Sequence, residues 1–223
     1  MLTKVIIPAR YQSSRFPGKP LALIKGIPMI NRVINQVAQA IDKNNIVVVT
    51  DDKRIADIVN CQVIMTKKAP TGTDRIASII DKVNADIIIN VQGDEPLINP
   101  EDIIRIGKEK EKRYNYVISG MSSLVNDSKN CVKVIQHKNK MIYMSRHLIS
   151  KWKQCGLYAF NKVDLYKFYK HGPGIFDQLE NVELLRFIEL GIPIRMIEVS
   201  DTVAVDVPED IKQVELYCKG VVD

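Results

Sequence analysis

Cysteine, histidine and aromatic residues are scarce in this chain, and each scarcity removes a class of function. The four cysteines, Cys61, Cys131, Cys155 and Cys218, stand far apart and form no Cys-x-x-Cys pair. They read as reduced thiols of a cytosolic protein rather than a disulfide frame or a zinc site. Three histidines, His137, His147 and His171, are too few for a histidine-rich metal centre. Few aromatics stand beside basic residues, which argues against a stacking surface for single-stranded nucleic acid. No apolar run approaches the ~20 residues needed to cross a bilayer. Met1-Leu2-Thr3-Lys4 leads into a strand pattern rather than a secretory leader. No Ser-His-Asp or Cys-His pattern points to a covalent intermediate. The expectation is a cytoplasmic protein with no nucleic-acid or membrane partner.

What is present suits one large α/β domain, expected over residues 1–223. The formal charge of +6 could serve nucleic acid, but the densest run, Lys108-Glu109-Lys110-Glu111-Lys112-Arg113, alternates in sign. Such a run is a solvated helix face. Strand and helix patterns alternate through the first half: strands at 5–7, 46–49, 62–65 and 86–91, helices at 28–43, 53–60 and after 71 and 100. The texture then changes, and residues 114–160 read as an inserted β-rich region with a hairpin around His137-Lys138-Asn139. Helices are expected over 162–169 and 176–190, and Pro208 opens the last one. The fold class expected is α/β with a mostly parallel central sheet.

The densest chemistry lies at residues 5–20, VIIPARYQSSRFPGKP. Val5-Ile6-Ile7 reads as a buried strand, and Pro8 ends its ladder. Arg10, Arg15 and Lys19 then follow on a loop stiffened by two further prolines. Three cations held this way suit a polyanion, most simply a triphosphate. A solvated basic loop is the plainer reading, but such a loop has no need of fixed φ. The loop is neither a Walker A motif nor a Gly-x-Gly-x-x-Gly turn. Two aspartates stand out further on. Asp94, in Gln92-Gly93-Asp94-Glu95-Pro96, follows the end of a buried strand, where open α/β sheets place ligands. Asp206 precedes a Pro-started helix, where an N-cap is the simpler role. Glu95 reads as structural or solvated.

The stretch Ile-Pro-Ala-Arg-Tyr-x-Ser-Ser-Arg-x-Pro-Gly-Lys-Pro-Leu resembles the N-terminal motif of sugar nucleotidyltransferases, and in this form the 3-deoxy-manno-octulosonate cytidylyltransferases. Val91-Gln92-Gly93-Asp94-Glu95-Pro96 and Val205-Asp206-Val207-Pro208-Glu209-Asp210 are similar to that family's motifs whose aspartates hold Mg²⁺. Thr71-Gly72-Thr73-Asp74-Arg75, Ser145-Arg146, Gly156-Leu157-Tyr158 and Glu180-x-x-Glu183-x-Leu-Arg186 match further family segments in order along the whole chain. The resemblance implies a Rossmann-like three-layer α/β/α fold and a homodimer made by the β-rich region. It implies transfer of CMP from CTP to 3-deoxy-manno-octulosonate (Kdo) for lipopolysaccharide or capsule synthesis, with Mg²⁺ as cofactor. Lys19, Arg10, Asp94 and Asp206 would carry the chemistry, with Asp94 and Asp206 on the metal. Ala9, Arg10, Ser13, Ser14, Arg15, Lys19, Thr71, Gly72 and Arg75 would hold the nucleotide. Gln92, Arg146, Gln154, Tyr158, Glu180 and Glu183 would hold the sugar acid, the two glutamates sharing one helical face.

Departures from the family pattern cluster towards the sugar. Gln154 stands where a histidine is usual, Ala69 where a histidine precedes Ser-Gly-Thr, and Ala204 where glycine precedes Val-Asp. The segment between Arg146 and Gly156 is short. Nucleotidyl transfer is therefore the firmer implication, and a related ulosonic or nonulosonic acid is the alternative acceptor. A non-catalytic nucleotide-binding module is the remaining alternative, opposed by the retention of both metal-type aspartates.

Overall fold

In the computed structural model, residues 1–13, 15–125, 127, 131–147 and 149–218 are described. The first half holds β1 (Thr3–Ala9), a small ribbon of β2 (Leu23–Ile24) and β3 (Ile27–Pro28), and α1 (Met29–Val37). It continues with β4 (Ile46–Thr50), α2 (Lys53–Ala56), β5 (Gln62–Met65), α3 (Gly72–Ala77), β6 (Ile87–Val91) and α4 (Pro100–Lys112). The second half holds β7 (Val117–Ser123), β8 (Lys133–His137), β9 (Lys140–Ser145) and β10 (Trp152–Asn161). Then come α5 (Lys162–His171), α6 (Ile175–Glu180), α7 (Leu185–Glu189), β11 (Ile194–Glu198) and α8 (Asp210–Tyr217).

Local chemistry sets the helix starts. Asp52, Thr71, Asn99 and Asn161 each accept a backbone N–H of the first turn of α2, α3, α4 and α5. The helices expected over 28–43 and 53–60 stop early, at Val37 and Ala56. The one helix expected over 176–190 is two. Asn181, in the left-handed conformation at φ 54°, ends α6, and Glu189 of α7 reaches back to the N–H groups of Ile175 and Phe176. Glu180 and Glu183 therefore do not share a helical face: Glu180 closes α6, and Glu183 lies in the break.

The main sheet runs β5-β4-β1-β6-β10-β7-β11-β9-β8. Its first four strands are mutually parallel. The second part is mixed, which corrects the expectation of a mostly parallel sheet: β10 is antiparallel to both β6 and β7, and β7 is parallel to β11. Nor is the whole of 114–160 an insertion. β7 and β10 fill the middle of the sheet, and only the β8–β9 hairpin lies at its edge. β7 escaped notice because Val117-Ile118-Ser119-Gly120-Met121-Ser122 is unusually polar for a strand buried along its length.

Alternation along the strands sends Val5, Ile7, Val48 and Ile89 to one face, packed with Ile30, Val33, Ile34, Ile103 and Ile106 of α1 and α4. Ile6, Val47, Val49 and Ile88 go to the other, against Ile76, Leu165, Phe168, Leu185 and Phe187 of α3, α5 and α7. Each fully buried aliphatic side chain contributes about 1.5–3 kcal/mol. A third cluster joins Ile24, Met29, Val205 and Val214, and so holds residues 203–206 against the β2–β3 ribbon and α8. The parallel strands β1 and β6 end on the same side of the sheet, and the loops beyond them face each other there.

Candidate active site

β1 delivers Ala9 and Arg10 to the sheet's edge, and the loop beyond it is fixed by its own backbone. Gly18, at φ 73°, donates its N–H to the Tyr11 carbonyl at 2.8 Å. The Tyr11 ring leaves so little room over Gly18 that a Cβ would sit 3.1 Å from it. On the same ring rests the Arg54 guanidinium, 3.4 Å from the centroid and forked onto Asp52. Lys19 and buried Pro20 then begin a short 3-10 turn. This turn aims Lys19 inward, where its Nζ donates to Asp94 Oδ2 at 2.6 Å and to the Val205 carbonyl at 2.7 Å. Asp206 Oδ1 lies 4.0 Å from the same nitrogen and 3.2 Å from the Arg15 guanidinium.

Asp94 and Asp206, 112 residues apart in sequence by their numbers, thus converge on one cation. Neither caps a helix. The N-cap of α4 is Asn99, and the carboxylate that receives the N–H groups of Asp206 and Val207 belongs to Asp210. The Val205 N–H donates to the Asp94 carbonyl at 2.9 Å, which locks the two loops together.

One cleft is lined by Ala9, Arg10, Ser13, Arg15, Lys19, Thr71, Gly72, Arg75, Gln92, Asp94 and Asp206. Ser14 lies outside the described residues. Arg10 is exposed and makes no hydrogen bond or ion pair among the described residues. Arg75 reaches the cleft with a guanidinium already held by Asp51 at 2.9 Å and by the Thr66 hydroxyl. Its own work is to brace the α3 N-terminus on the β4 and β5 loops.

Of the residues assigned to the sugar acid, Gln92 lines this cleft, and its Nε2 donates to Glu183 Oε1 at 3.3 Å. Glu183 Oε2 accepts the Thr73 N–H at 2.9 Å. Burial raises the Glu183 carboxyl above its ordinary range, although the bond from Thr73 counteracts it. Burial, and then the charges of Glu183, Glu95 and Asp94, push the Tyr158 phenol well up, so Tyr158 stays neutral and can donate. Gln154 Nε2 donates to the Tyr158 hydroxyl at 2.9 Å. Glu180 is turned to the hairpin, accepting from Ser145 and Tyr143 at 2.6 and 3.2 Å. Arg146 donates to the Glu180 carbonyl at 2.7 Å and so holds the end of α6.

One feature went unread in the sequence, and one stood between two readings. Arg186 is buried, with Asp74 at 2.7 Å, Asp177 at 2.6 Å and the Phe168 ring beneath it; it staples α7 to α3. Both partners of the Asp74 pair stood in motifs singled out above, but nothing local linked them. Glu95 is not solvated. It is 5% exposed and accepts from Thr202 and Gly156, and burial, followed by the charge of Asp94, raises its carboxyl to about 7.

Residues 4–215 match the family model described as cytidylyltransferase. The chain belongs to that family. The 3-deoxy-manno-octulosonate cytidylyltransferase of Geobacter metallireducens is 37% identical over 245 residues, covering 96% of each chain. The 8-amino-3,8-dideoxy-manno-octulosonate cytidylyltransferase of Shewanella amazonensis is 38% identical over 240 residues, covering 96% of this chain and 98% of its own. Among solved structures, a CMP:2-keto-3-deoxy-manno-octonic acid synthetase complexed with CTP is similar with a TM-score of 0.89. It is 32% identical, over 99% of this cytidylyltransferase and 100% of the other chain. A glucose-1-phosphate thymidylyltransferase-like protein from Bacillus anthracis, 16% identical with a TM-score of 0.80, shares the fold. The α/β class and the family resemblance are thereby borne out.

Proposed function

We propose that this cytidylyltransferase transfers CMP from CTP to the anomeric C2 hydroxyl of Kdo or a closely related 2-keto-3-deoxy sugar acid, releasing pyrophosphate. The observation that carries this reading is Lys19 Nζ set between Asp94 and Asp206 in a cleft that also presents Arg10 and Arg15. Such a transfer depends on positioning and charge neutralisation, not on a covalent intermediate. Arg10, Arg15 and Lys19 bind and neutralise the triphosphate. Lys19 follows the charge onto the leaving pyrophosphate in this reading, its Nζ exchanging aspartate for phosphate oxygens. The sugar C2 oxygen bonds to the α-phosphorus as the bond from that phosphorus to the bridging β-phosphate oxygen breaks, pyrophosphate leaves, and the hydroxyl proton passes to solvent water. Tyr158, Gln154 and Gln92 offer neutral hydrogen bonds that orient the acid.

The donor set fits Mg²⁺. Asp94 and Asp206 present hard carboxylate oxygens to one point that already accommodates a cation. Among the described residues, no group of three or more His, Cys, Asp or Glu side chains could hold a metal. Two protein ligands leave the remaining positions to phosphate and water, as Mg²⁺ on a nucleotide requires. Once bound, the ion would offset charge at the α-phosphate and favour ionisation of the attacking hydroxyl.

The reading extends to a single domain on a Rossmann-like three-layer scaffold, to a cytoplasmic location and to a homodimer through the β8–β9 hairpin. The location is supported by free cysteines, and by the absence among the described residues of a helix able to cross a membrane. The dimer is supported by Ile135 and Ile142, which leave apolar side chains exposed on the hairpin. Incubation of the protein with Mg²⁺, CTP and a panel of ulosonic acids tests the reaction. Pyrophosphate and a CMP-sugar mass are expected with Kdo or a near relative. Activity with another nucleotide only, or none with any acid of the panel, would refute it.

A further inference from the structure

We propose that Glu95 is a positioning residue: its carboxylate ties together the three segments that carry Asp94, Asp206 and the acceptor strand. The proposal rests on the cytidylyl-transfer reading above. Each oxygen has its own donor. Oε2 accepts the Thr202 hydroxyl at 2.7 Å, four residues before Asp206. Oε1 accepts the Gly156 N–H at 3.2 Å, between Gln154 and Tyr158. The Glu95 N–H closes the turn onto the Gln92 carbonyl at 3.2 Å, with Asp94 inside that turn. One buried side chain thus joins the β6 turn, the 202–206 segment and β10.

The strand is shaped for this contact. Gln154 pairs with Met121 and Tyr158 with Ser119, so β10 slips against β7 between them, and Gly156 lies in the slip. A Cβ at Gly156 would fall 2.9 Å from Glu95 Oε1 and from the Gln92 side chain. Only glycine lets β10 come this close. With both oxygens taken by donors, Glu95 is not itself placed as a metal ligand. Glutamine can make the same two ties, because its carbonyl can accept from Gly156 and the Thr202 hydroxyl can turn to accept from its amide. Alanine makes neither.

The parent enzyme's turnover of CTP and Kdo with Mg²⁺ is measured first, which tests the underlying reading by itself. Then Glu95→Ala, Glu95→Gln and Thr202→Val are compared by steady-state kinetics and by amide hydrogen exchange of the free protein. For Glu95→Ala, kcat should fall ~30-fold or more with KM for CTP within ~3-fold, the cost of a small misplacement of reacting groups. Glu95→Gln should stay within ~3-fold of the parent and Thr202→Val should lose several-fold, since it keeps one tie of two. Exchange should rise at 154–157 and 202–206 in Glu95→Ala but not in Glu95→Gln, a result that needs no activity at all. Parent-like kcat and exchange in Glu95→Ala would overturn the proposal. So would Glu95→Gln as damaged as Glu95→Ala, which would assign the role to charge. If Glu95→Ala fails to fold, parent-like kcat and exchange in Thr202→Val would overturn it as well.

Discussion

The two halves of the cleft are built by different means. The half assigned to the nucleotide is cationic and partly open, and its residues sit on strand ends and turns whose shape proline and glycine decide locally. The half assigned to the sugar acid is backed by largely buried carboxylates: Glu95, at 5% exposure and raised to about 7, bonded to Gly156, and Glu183, also raised, bonded to Gln92. Its geometry depends on a slipped strand, a broken helix and ties between distant segments. The first half presents Arg10, Arg15 and Lys19, and its carboxylates Asp94 and Asp206 share Lys19. The second half spends burial energy to hold neutral donors, Tyr158 and Gln154, in place. Specificity for the acceptor should therefore change through small shifts of backbone, whereas nucleotide use should change only when a charge is removed.

The sharpest way to break this contrast is to remove a charge from the first half. Asp94→Asn and Asp206→Asn should each lower kcat on the order of a hundredfold or more, as for an essential electrostatic group, while circular dichroism and melting stay close to the parent. Near-normal kcat with Mg²⁺ in either variant would leave that aspartate without a metal role. Lys19→Ala comes next. It should lower kcat/KM for CTP by ~10–100-fold, the range of one or two charge-assisted contacts, with little change in Tm. Equal CTP affinity in variant and parent would take the loop out of the triphosphate site.

In the second half, Gln154→His should be milder. The imidazole can carry a charge to the sugar carboxylate at low pH, where glutamine gives only neutral bonds to its surroundings, as it does now to Tyr158. Sugar KM or sugar choice should move by ~3–10-fold, about the difference between a neutral and a charge-assisted bond. An unchanged sugar profile would mean that the side chain does not face the acceptor. Outside both halves, Lys110 is fully buried, bonded to the Tyr114 and Tyr116 carbonyls, with Asp164 at 3.4 Å. Burial lowers its amine from 10.5 to about 8. Between those values the unfolded chain keeps a proton that the folded chain has lost, so stability rises with pH across that window, and the cost of the buried charge is full below it. Urea unfolding of the parent and Lys110→Met should show the parent's relative advantage growing by up to ~2 kcal/mol from pH 7.5 to 9.5, with both substrate KM values unmoved. A constant difference would contradict the lowered amine.

The same contrast explains what could be read from the sequence. Val5-Ile6-Ile7 and the run ending at Val91 announced β1 and β6 through their short continuous runs of β-branched residues, although β1 does not end at Pro8 but pairs on through Ala9. Arg10, Lys19 and Asp94 followed from their places just beyond those strands. Asp206 was more simply readable as a helix cap, and only the fold shows that the N-cap of α8 is Glu209 and that Asp206 faces Lys19 and Arg15 instead. The helix break at Asn181 was hidden, since asparagine also sits within helices. The β10 slip joins residues 33 and 39 positions apart, and the Glu95 ties and the Asp74–Arg186 pair join residues from 61 to 112 apart. No local pattern encodes such pairings, so tertiary packing alone reveals them.

The most direct test of the divided cleft is two-substrate steady-state kinetics on Lys19→Ala and Gln154→His, with CTP and sugar acid both varied. The account predicts crossed effects: Lys19→Ala changes the CTP terms and leaves sugar KM near the parent's, and Gln154→His does the reverse. If either variant shifted both KM values alike, the nucleotide and the acid would not occupy separate halves, and the account would be wrong.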